Sequence, residues 1–303
     1  MIKQVMTALK FPSLVRLGIV VPAVFALSAC TALFFYPNET YTRTPAALGL
    51  AYEDVDIDGI GEPRLHGWFL PAAKPTCGTV LFLHGNAENI SMHIASVYWL
   101  PARGFNVFLF DYRGYGASGG SPSLAGIQND IDRAIRYLLQ HGLVSPHGIV
   151  LFGQSLGASA AIYYAAHGEH RSGLRSVVVE SPFASYRGIA QEKLAAFWLT
   201  WPLQWLPRWT MSDRYSPVNA IGQVAPIPLL LIHGDSDPIV PLAHSERLFA
   251  AAQEPKRFWK IVGGGHITAF TSAPMRARLT TYLHDQICPA VSLPVSADGK
   301  TTN

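Results

Sequence analysis

From about residue 79 to residue 287 the chain alternates short, almost wholly apolar runs with longer helical patterns, and that alternation restricts it to few architectures. The apolar runs are 79–83, 106–110, 148–152, 176–179 and 228–232, and a further strand is expected at 257–262, which carries Arg257 and Lys260. Each is too short for a helix, and near-continuous apolarity suits strands buried on both faces. Helical patterns fall between and after them, at about 91–100, 124–140, 156–166, 242–253 and 275–287. In the second of these Ile127, Ile131, Ala134, Ile135 and Leu138 form one apolar stripe. Such alternation predicts an α/β fold, a mainly parallel sheet with helices on both faces. Two earlier runs, 51–58 and 64–70, are expected to pair antiparallel around a turn at 59–63, which brings the strand count to eight.

The first residues stand outside this pattern. Lys3, Lys10 and Arg16 precede an apolar stretch that ends in Leu27-Ser28-Ala29-Cys30. A basic start, a short apolar core and small residues before a cut site read as a secretory signal. The ending resembles a bacterial lipobox, so residues 1–29 are expected to be removed and Cys30 to carry lipid. The alternative is an uncleaved anchor, since residues 17–36 hold no charge over 20 positions, enough to span a bilayer. Either way the domain is exported and membrane-held, on a periplasmic or surface face. Residues 30–49 read as a polar tether, 50–288 as the folded domain, and the Ser/Thr/Pro-rich 289–303 as a flexible tail.

Composition removes other classes. Hydrophobic residues make up 49% and charged residues 14%, too apolar for a disordered chain. The net charge of +3 is accounted for by the three basic residues of the leader, so no nucleic-acid footprint remains. Cys30, Cys77 and Cys288 have no zinc-ligand spacing, and no metal site is expected.

Gly153-Gln154-Ser155-Leu156-Gly157 fits the G-x-S-x-G nucleophile elbow, with a strand entering and an Ala-rich helix leaving. Glycines are needed because the serine occupies a strained turn wedged between a strand and a helix. A serine hydroxyl needs a base. Of eleven histidines, His266 follows the last strand in Gly263-Gly264-Gly265-His266, a loop free to bring an imidazole back over the strand ends. The acid should lie between serine and histidine in chain order. Asp237 is the first choice, Asp235 reads as a turn-stabilising residue, and Glu180 remains a further candidate. The oxyanion needs two N–H donors. Leu156 follows the nucleophile, and Asn86 lies in the loop His84-Gly85-Asn86 after the 79–83 strand; His84 itself reads as a structural support of that loop. About 48 residues separate the strands at 176–179 and 228–232, and this insert (184–225) holds four of the seven tryptophans. It is expected over the carboxyl ends of the strands, either as a substrate-contacting lid or as a hairpin whose tryptophans pack on the domain.

Taken together, H-G-N-A-x-N, D-Y-R-G-Y-G-x-S-x-G at 111–120, G-x-S-x-G, Glu180-Ser181-Pro182-Phe183, H-G-x-x-D-x-x-V-P and G-G-G-H resemble the alpha/beta-hydrolases with a minimal cap. These are the serine-aminopeptidase-like group, related to acylglycerol lipases and palmitoyl thioesterases. The resemblance spans about 51–287. It implies an eight-stranded alpha/beta-hydrolase sheet, cofactor-free hydrolysis of esters, thioesters or amides, and Asp237 over Asp235 as acid. Glu88 departs from it, standing where members usually have glycine, and would disfavour anionic substrates or simply face solvent.

The expected reaction is ester or thioester cleavage through an acyl-enzyme on Ser155, with a small or lipid-like acyl substrate. The alternatives are an aminopeptidase-like amidase and a non-catalytic surface-binding lipoprotein on the same fold. Cys77, just before a strand, and Cys288, after the last helix, should emerge at the sheet end opposite the active site. An oxidising compartment permits a bond between them, although two free thiols remain the alternative.

Overall fold

The computed structural model describes residues 35–73, 76–144 and 147–288. The expected signal, Cys30 and the tail 289–303 lie outside the described residues. Eight strands form one sheet: β1 (Glu53–Gly59), β2 (Glu62–Leu70), β3 (Gly78–Leu83), β4 (Phe105–Phe110), β5 (Ile149–Gln154), β6 (Leu174–Glu180), β7 (Leu229–Gly234) and β8 (Lys256–Ile261). Their spatial order is β8-β7-β6-β5-β3-β4-β2-β1. β1 and β2 pair antiparallel, β2 runs antiparallel to β4, and every later pair is parallel. The five principal helices are α1 (Leu124–Gln140), α2 (Leu156–His167), α3 (Tyr186–Ala196), α4 (Ala243–Ala251) and α5 (Ala273–Ile287).

Alternation along the central strands divides their side chains between two cores. Leu81, Leu83, Phe108, Phe110 and Leu151 join the cluster that holds α1 and α2. Val80, Phe82, Leu109, Val150 and Phe152 join the one that holds α5. Strands buried on both faces have no solvent side, which explains their unbroken apolarity. α1 starts at Ser123, whose hydroxyl accepts the Gly126 N–H at 3.0 Å, a standard N-cap.

Two expectations need correction. The helix expected at 91–100 is a single α turn, Ile90–His93, followed by a 3-10 turn, Ile94–Ser96. The Trp99 indole N–H takes the Ser96 carbonyl at 3.0 Å, and Pro101 has no N–H with which to prolong the ladder. The segment read as a tether is docked over its described part. Phe35 is buried, and Tyr36–Pro37 pairs in parallel with Ala87–Glu88. Asn89 Nδ2 donates to the carbonyls of Asn38 and Thr40 at 2.8 and 2.9 Å, and the Tyr41 hydroxyl donates to Asp111. Burial pushes the Asp111 carboxyl up to about 6, against the hydrogen bonds from Tyr41 and the Ile90 N–H. No helix among the described residues is long and apolar enough to cross a membrane.

At the amino edge of the parallel strands Cys77 and Cys288 form a disulfide, their Cα atoms 5.3 Å apart. A Cβ on Gly78 would collide with Ile287, which shows how closely the end of α5 lies on the start of β3. The bond closes a loop of 211 residues, for which the loop-entropy model gives about 5 kcal/mol as an upper figure. Alkylation of the unfolded, non-reduced protein should therefore leave both cysteines unlabelled. Two labelled thiols would refute the bond, and reduction should lower the Tm.

Candidate active site

β5 enters the elbow and α2 leaves it. Between them Ser155 adopts φ 52° and ψ −111°, a backbone region costly for any residue with a Cβ. The strain is held by close packing. A Cβ on Gly153 would collide with the Gly157 carbonyl, and one on Gly157 with the carbonyl oxygens of Leu83 and His84. Ser155 N–H also donates to the Glu180 carbonyl at 2.9 Å, tying the turn to β6. Leu156 follows as the first residue of α2, where a backbone N–H has no intrahelical acceptor and the helix dipole favours negative charge. Of the other non-glycine residues with positive φ among the described residues, Glu88 and Ile267 line the cavity beside Ser155, and Ser181 follows Glu180, whose carbonyl accepts the Ser155 N–H. Strain gathered in this way marks a functional site.

His266 stands on the loop after β8, and its Nδ1 lies 2.7 Å from Asp237 Oδ2. A carboxylate only accepts, so Nδ1 carries the proton and Nε2 of the neutral ring is left as a base. Asp237 follows β7, and its side chain is buried. Its Oδ1 accepts the N–H groups of Ile239 and Val240 at 2.8 and 2.9 Å. Behind it His233 places Nε2 2.8 Å from the Val240 carbonyl and 3.4 Å from Asp237 Oδ2, while Nδ1 meets the Ser245 hydroxyl at 2.6 Å. Burial alone would raise the Asp237 carboxyl, but the hydrogen bonds from His233, His266 and Val240 outweigh it and hold it well below the usual carboxylate range.

The other acid candidates serve elsewhere. Asp235 Oδ1 accepts the Gly263 N–H at 2.7 Å, bracing the turn after β8. Glu180 accepts Gln154 Nε2 at 2.6 Å and the Ala269 N–H at 2.9 Å, so one carboxylate links the elbow to the segment that follows His266. Burial raises its pKa against those hydrogen bonds.

Ser155, His266 and Asn86 line one cavity of about 850 Å³ whose walls are largely apolar. Asn86 Oδ1 accepts the Tyr115 hydroxyl at 2.9 Å and the Tyr36 N–H at 3.4 Å, which fixes the loop after β3. His84 is buried with Nδ1 2.8 Å from the Gly85 carbonyl, and its own carbonyl accepts the Tyr112 hydroxyl at 3.0 Å. Burial lowers its pKa well below normal, so it stays neutral and supports the loop.

Several contributors escaped the sequence reading. His93 lies in the cavity wall against Gly85, with Nε2 3.1 Å from the Ala87 carbonyl. Tyr115 could have been found through the D-Y-R-G-Y-G motif, whereas Tyr36 and His93 carry no local signal. Cys77 and Cys288, beside His284, are bonded to each other, and the other cluster of metal-ligating residue types among the described residues, Asp132–Glu169–His170, does not border the cavity.

Glu88 lines the cavity at φ 68°, and that angle explains why glycine suits the position. A left-handed conformation costs an ordinary residue roughly 1–2 kcal/mol, partly offset by glycine's greater unfolded-state entropy. Glu88→Gly should therefore stabilise the protein by up to about 1 kcal/mol, a rise of roughly 2–4 °C in Tm. It should also improve KM for acyl groups that end in a carboxylate relative to neutral ones. A lower Tm would show that the carboxylate carries structural weight.

A strand–serine–helix elbow facing a histidine–aspartate pair, at the carboxyl ends of this eight-stranded sheet, is the arrangement of the alpha/beta-hydrolases. The chain belongs to that family. A family model described as serine aminopeptidase, S33, matches residues 74–223, and one for the alpha/beta hydrolase fold matches 190–273. It is 40% identical over 243 residues to the protein YfhR of Escherichia coli K12, covering 78% of this chain and 80% of that one. It is 30% identical over 273 residues to the alpha/beta hydrolase domain-containing protein WAV2 of Arabidopsis thaliana, covering 84% and 87%. In fold it is similar to an esterase of Pyrococcus furiosus, with a TM-score of 0.68 at 21% identity over 84% of this chain and 98% of that one.

Proposed function

We propose that the protein is a serine hydrolase that cleaves carboxylic esters or thioesters through an acyl-enzyme on Ser155. The observation that carries this is the serine held at a strained helix start, sharing an apolar cavity with a histidine whose far nitrogen is hydrogen-bonded to a buried carboxylate 2.7 Å away. His266 Nε2 takes the proton as Ser155 Oγ attacks the acyl carbon. The oxyanion that forms is received by the backbone N–H groups of Leu156 and Asn86. Collapse of the tetrahedral adduct expels the alcohol or thiol, which leaves with the proton from His266. Water, activated by the same ring, then attacks the acyl-enzyme and regenerates the serine.

The apolar wall suits an uncharged acyl chain, supplied in part by Ile189, Leu194, Leu206 and Met211 of the insert. An aminopeptidase-like reading draws on Glu88, a carboxylate in the same wall that could receive a substrate ammonium. A graded series of acyl esters and thioesters beside aminoacyl anilides tests both. Fastest turnover on neutral esters or thioesters of medium to long chain supports the proposal. Preference for the anilides, abolished by Glu88→Gln, would replace it.

We also propose export and membrane attachment through a lipid on Cys30, following the leader of residues 1–29. Mass spectrometry of the mature protein should find a lipidated Cys30 as its first residue. A chain that begins at Met1 would favour an uncleaved anchor.

A further inference from the structure

The insert presents its tryptophans to solvent. Trp198 and Trp209 are 78% and 79% exposed, Trp201 and Trp205 58% and 56%, and none of the four lines the cavity. They neither pack on the domain nor touch the site where substrate would sit. Phe197, Leu199, Leu203 and Leu206 are exposed beside them. Eight of the fourteen exposed large apolar side chains among the described residues thus fall in thirteen consecutive positions, 197–209. An apolar surface so concentrated marks a contact site.

Charge narrows the partner. From Leu194 to Ser212 the only charged residue is Arg208, whose guanidinium sits 6.0 Å from the Trp205 ring centroid. The insert's two acids are both paired. Glu192 meets His244 Nε2 at 2.8 Å, and Asp213 accepts from the hydroxyls of Ser185 and Ser216. Tryptophan, phenylalanine and leucine with arginine and no free acid match the layer between phospholipid headgroups and acyl chains.

The chain's own path gives an independent argument. Tyr36, 66% exposed, lines the cavity together with Leu206 and Ile239, both also exposed, so the rim of the opening is apolar. Cys30 is six residues before Tyr36, and an extended chain over that interval reaches at most about 20 Å. A membrane attachment at Cys30 therefore leaves the cavity rim and the membrane surface within one short span of each other.

We infer that the tryptophan-rich face of the insert seats in the interfacial layer of a phospholipid bilayer, so that the cavity opens against the membrane and takes ester substrates from it. The uptake of ester substrates rests on the hydrolase reading proposed above, and the Cys30 attachment brings the face to the membrane. The test uses the full chain reconstituted in phosphatidylcholine–phosphatidylglycerol liposomes that contain brominated acyl chains. Trp68, Trp99 and Trp259 are buried, so quenching of tryptophan emission reports on the four of the insert. Strong quenching is expected, and Trp198→Ala with Trp209→Ala should remove much of it. The double variant should hydrolyse a long-chain ester embedded in the bilayer on the order of tenfold more slowly. Its turnover of a soluble short-chain ester should stay within about twofold of wild type, because neither residue borders the cavity.

Sedimentation of the chain with liposomes without quenching would overturn the inference and leave the attachment standing. Quenching that persists in Cys30→Ser, which cannot carry the lipid, would support the seating of this face independently of the attachment. Loss of self-association in the tryptophan variant, again without quenching, would make this face a contact between copies and overturn the inference. A wild-type chain that is quenched but hydrolyses no soluble ester would refute the hydrolase reading and with it the uptake of ester substrates, and would leave the seating of the tryptophan face standing.

Discussion

Ser155→Ala is expected to lose labelling by a fluorophosphonate probe and to lower ester turnover on the order of a million-fold, with the Tm almost unchanged. The substitution removes one oxygen from a buried residue and keeps the Cβ, so the elbow's packing against Leu83, His84 and the Glu180 carbonyl survives. What disappears is the covalent route. Residual hydrolysis would come from the oxyanion donors and from binding alone, because members of such a triad act as a unit. His266→Ala should cost a similar factor for the same reason, since the remaining hydroxyl has no base. Turnover near wild type in either variant would refute the acyl-enzyme mechanism, and an unlabelled wild-type protein would point to a non-catalytic scaffold.

Asp237→Asn is expected to reduce turnover about ten-thousand-fold while preserving the fold. The asparagine oxygen can still accept the N–H groups of Ile239 and Val240, so the loop after β7 has its anchors. An amide nitrogen facing His266 is a donor where an acceptor is needed. It drives the proton to the wrong imidazole nitrogen and offers nothing to the imidazolium formed in the reaction. Glu180→Gln is the control: Glu180 bridges Gln154 and Ala269, and neither of its oxygens is the partner of His266 Nδ1. If Glu180→Gln is inactive and Asp237→Asn near normal, the roles are reversed.

The same variant carries a pH dependence of defined sign. The native Asp237 carboxyl titrates below its unfolded value, so in the window between the two the unfolded chain binds the extra proton. Stability from this group is therefore complete above the ordinary carboxylate range and drains away as the solution is acidified from about pH 5. The Tm of the wild type relative to Asp237→Asn should fall across that interval. A difference independent of pH would mean that the carboxylate gains nothing from its two histidines and the Val240 N–H.

The central strands and the elbow were legible because their signals are local. Strands 106–110 and 148–152 differ from the observed β4 and β5 by one or two residues at their ends, since a run apolar at every position has few alternatives. The segment from Ile90 to Leu100 misled because its apolar spacing is helical, while the Trp99 side chain and Pro101 divert the backbone hydrogen bonds. The described part of the tether escaped for the opposite reason. Its partners, Ala87, Asn89 and Asp111, lie about 50 to 70 residues away and mostly hold its backbone groups, which every residue possesses.

By itself the sequence determined the sheet-and-helix order, the serine turn with its obligatory glycines, and the histidine on its flexible loop. Periodicity, steric exclusion of side chains and chain order are properties of neighbouring residues, and they can be read in line. Only the tertiary structure decided which carboxylate faces His266, and that Glu180 binds the elbow to the segment after His266. It also decided that the segment from Phe35 braces the loop after β3 and that the insert's tryptophans point outward. Those outcomes depend on directions and distances between elements far apart in the chain. A carboxylate, a tryptophan or an N–H looks the same in sequence whichever way it turns.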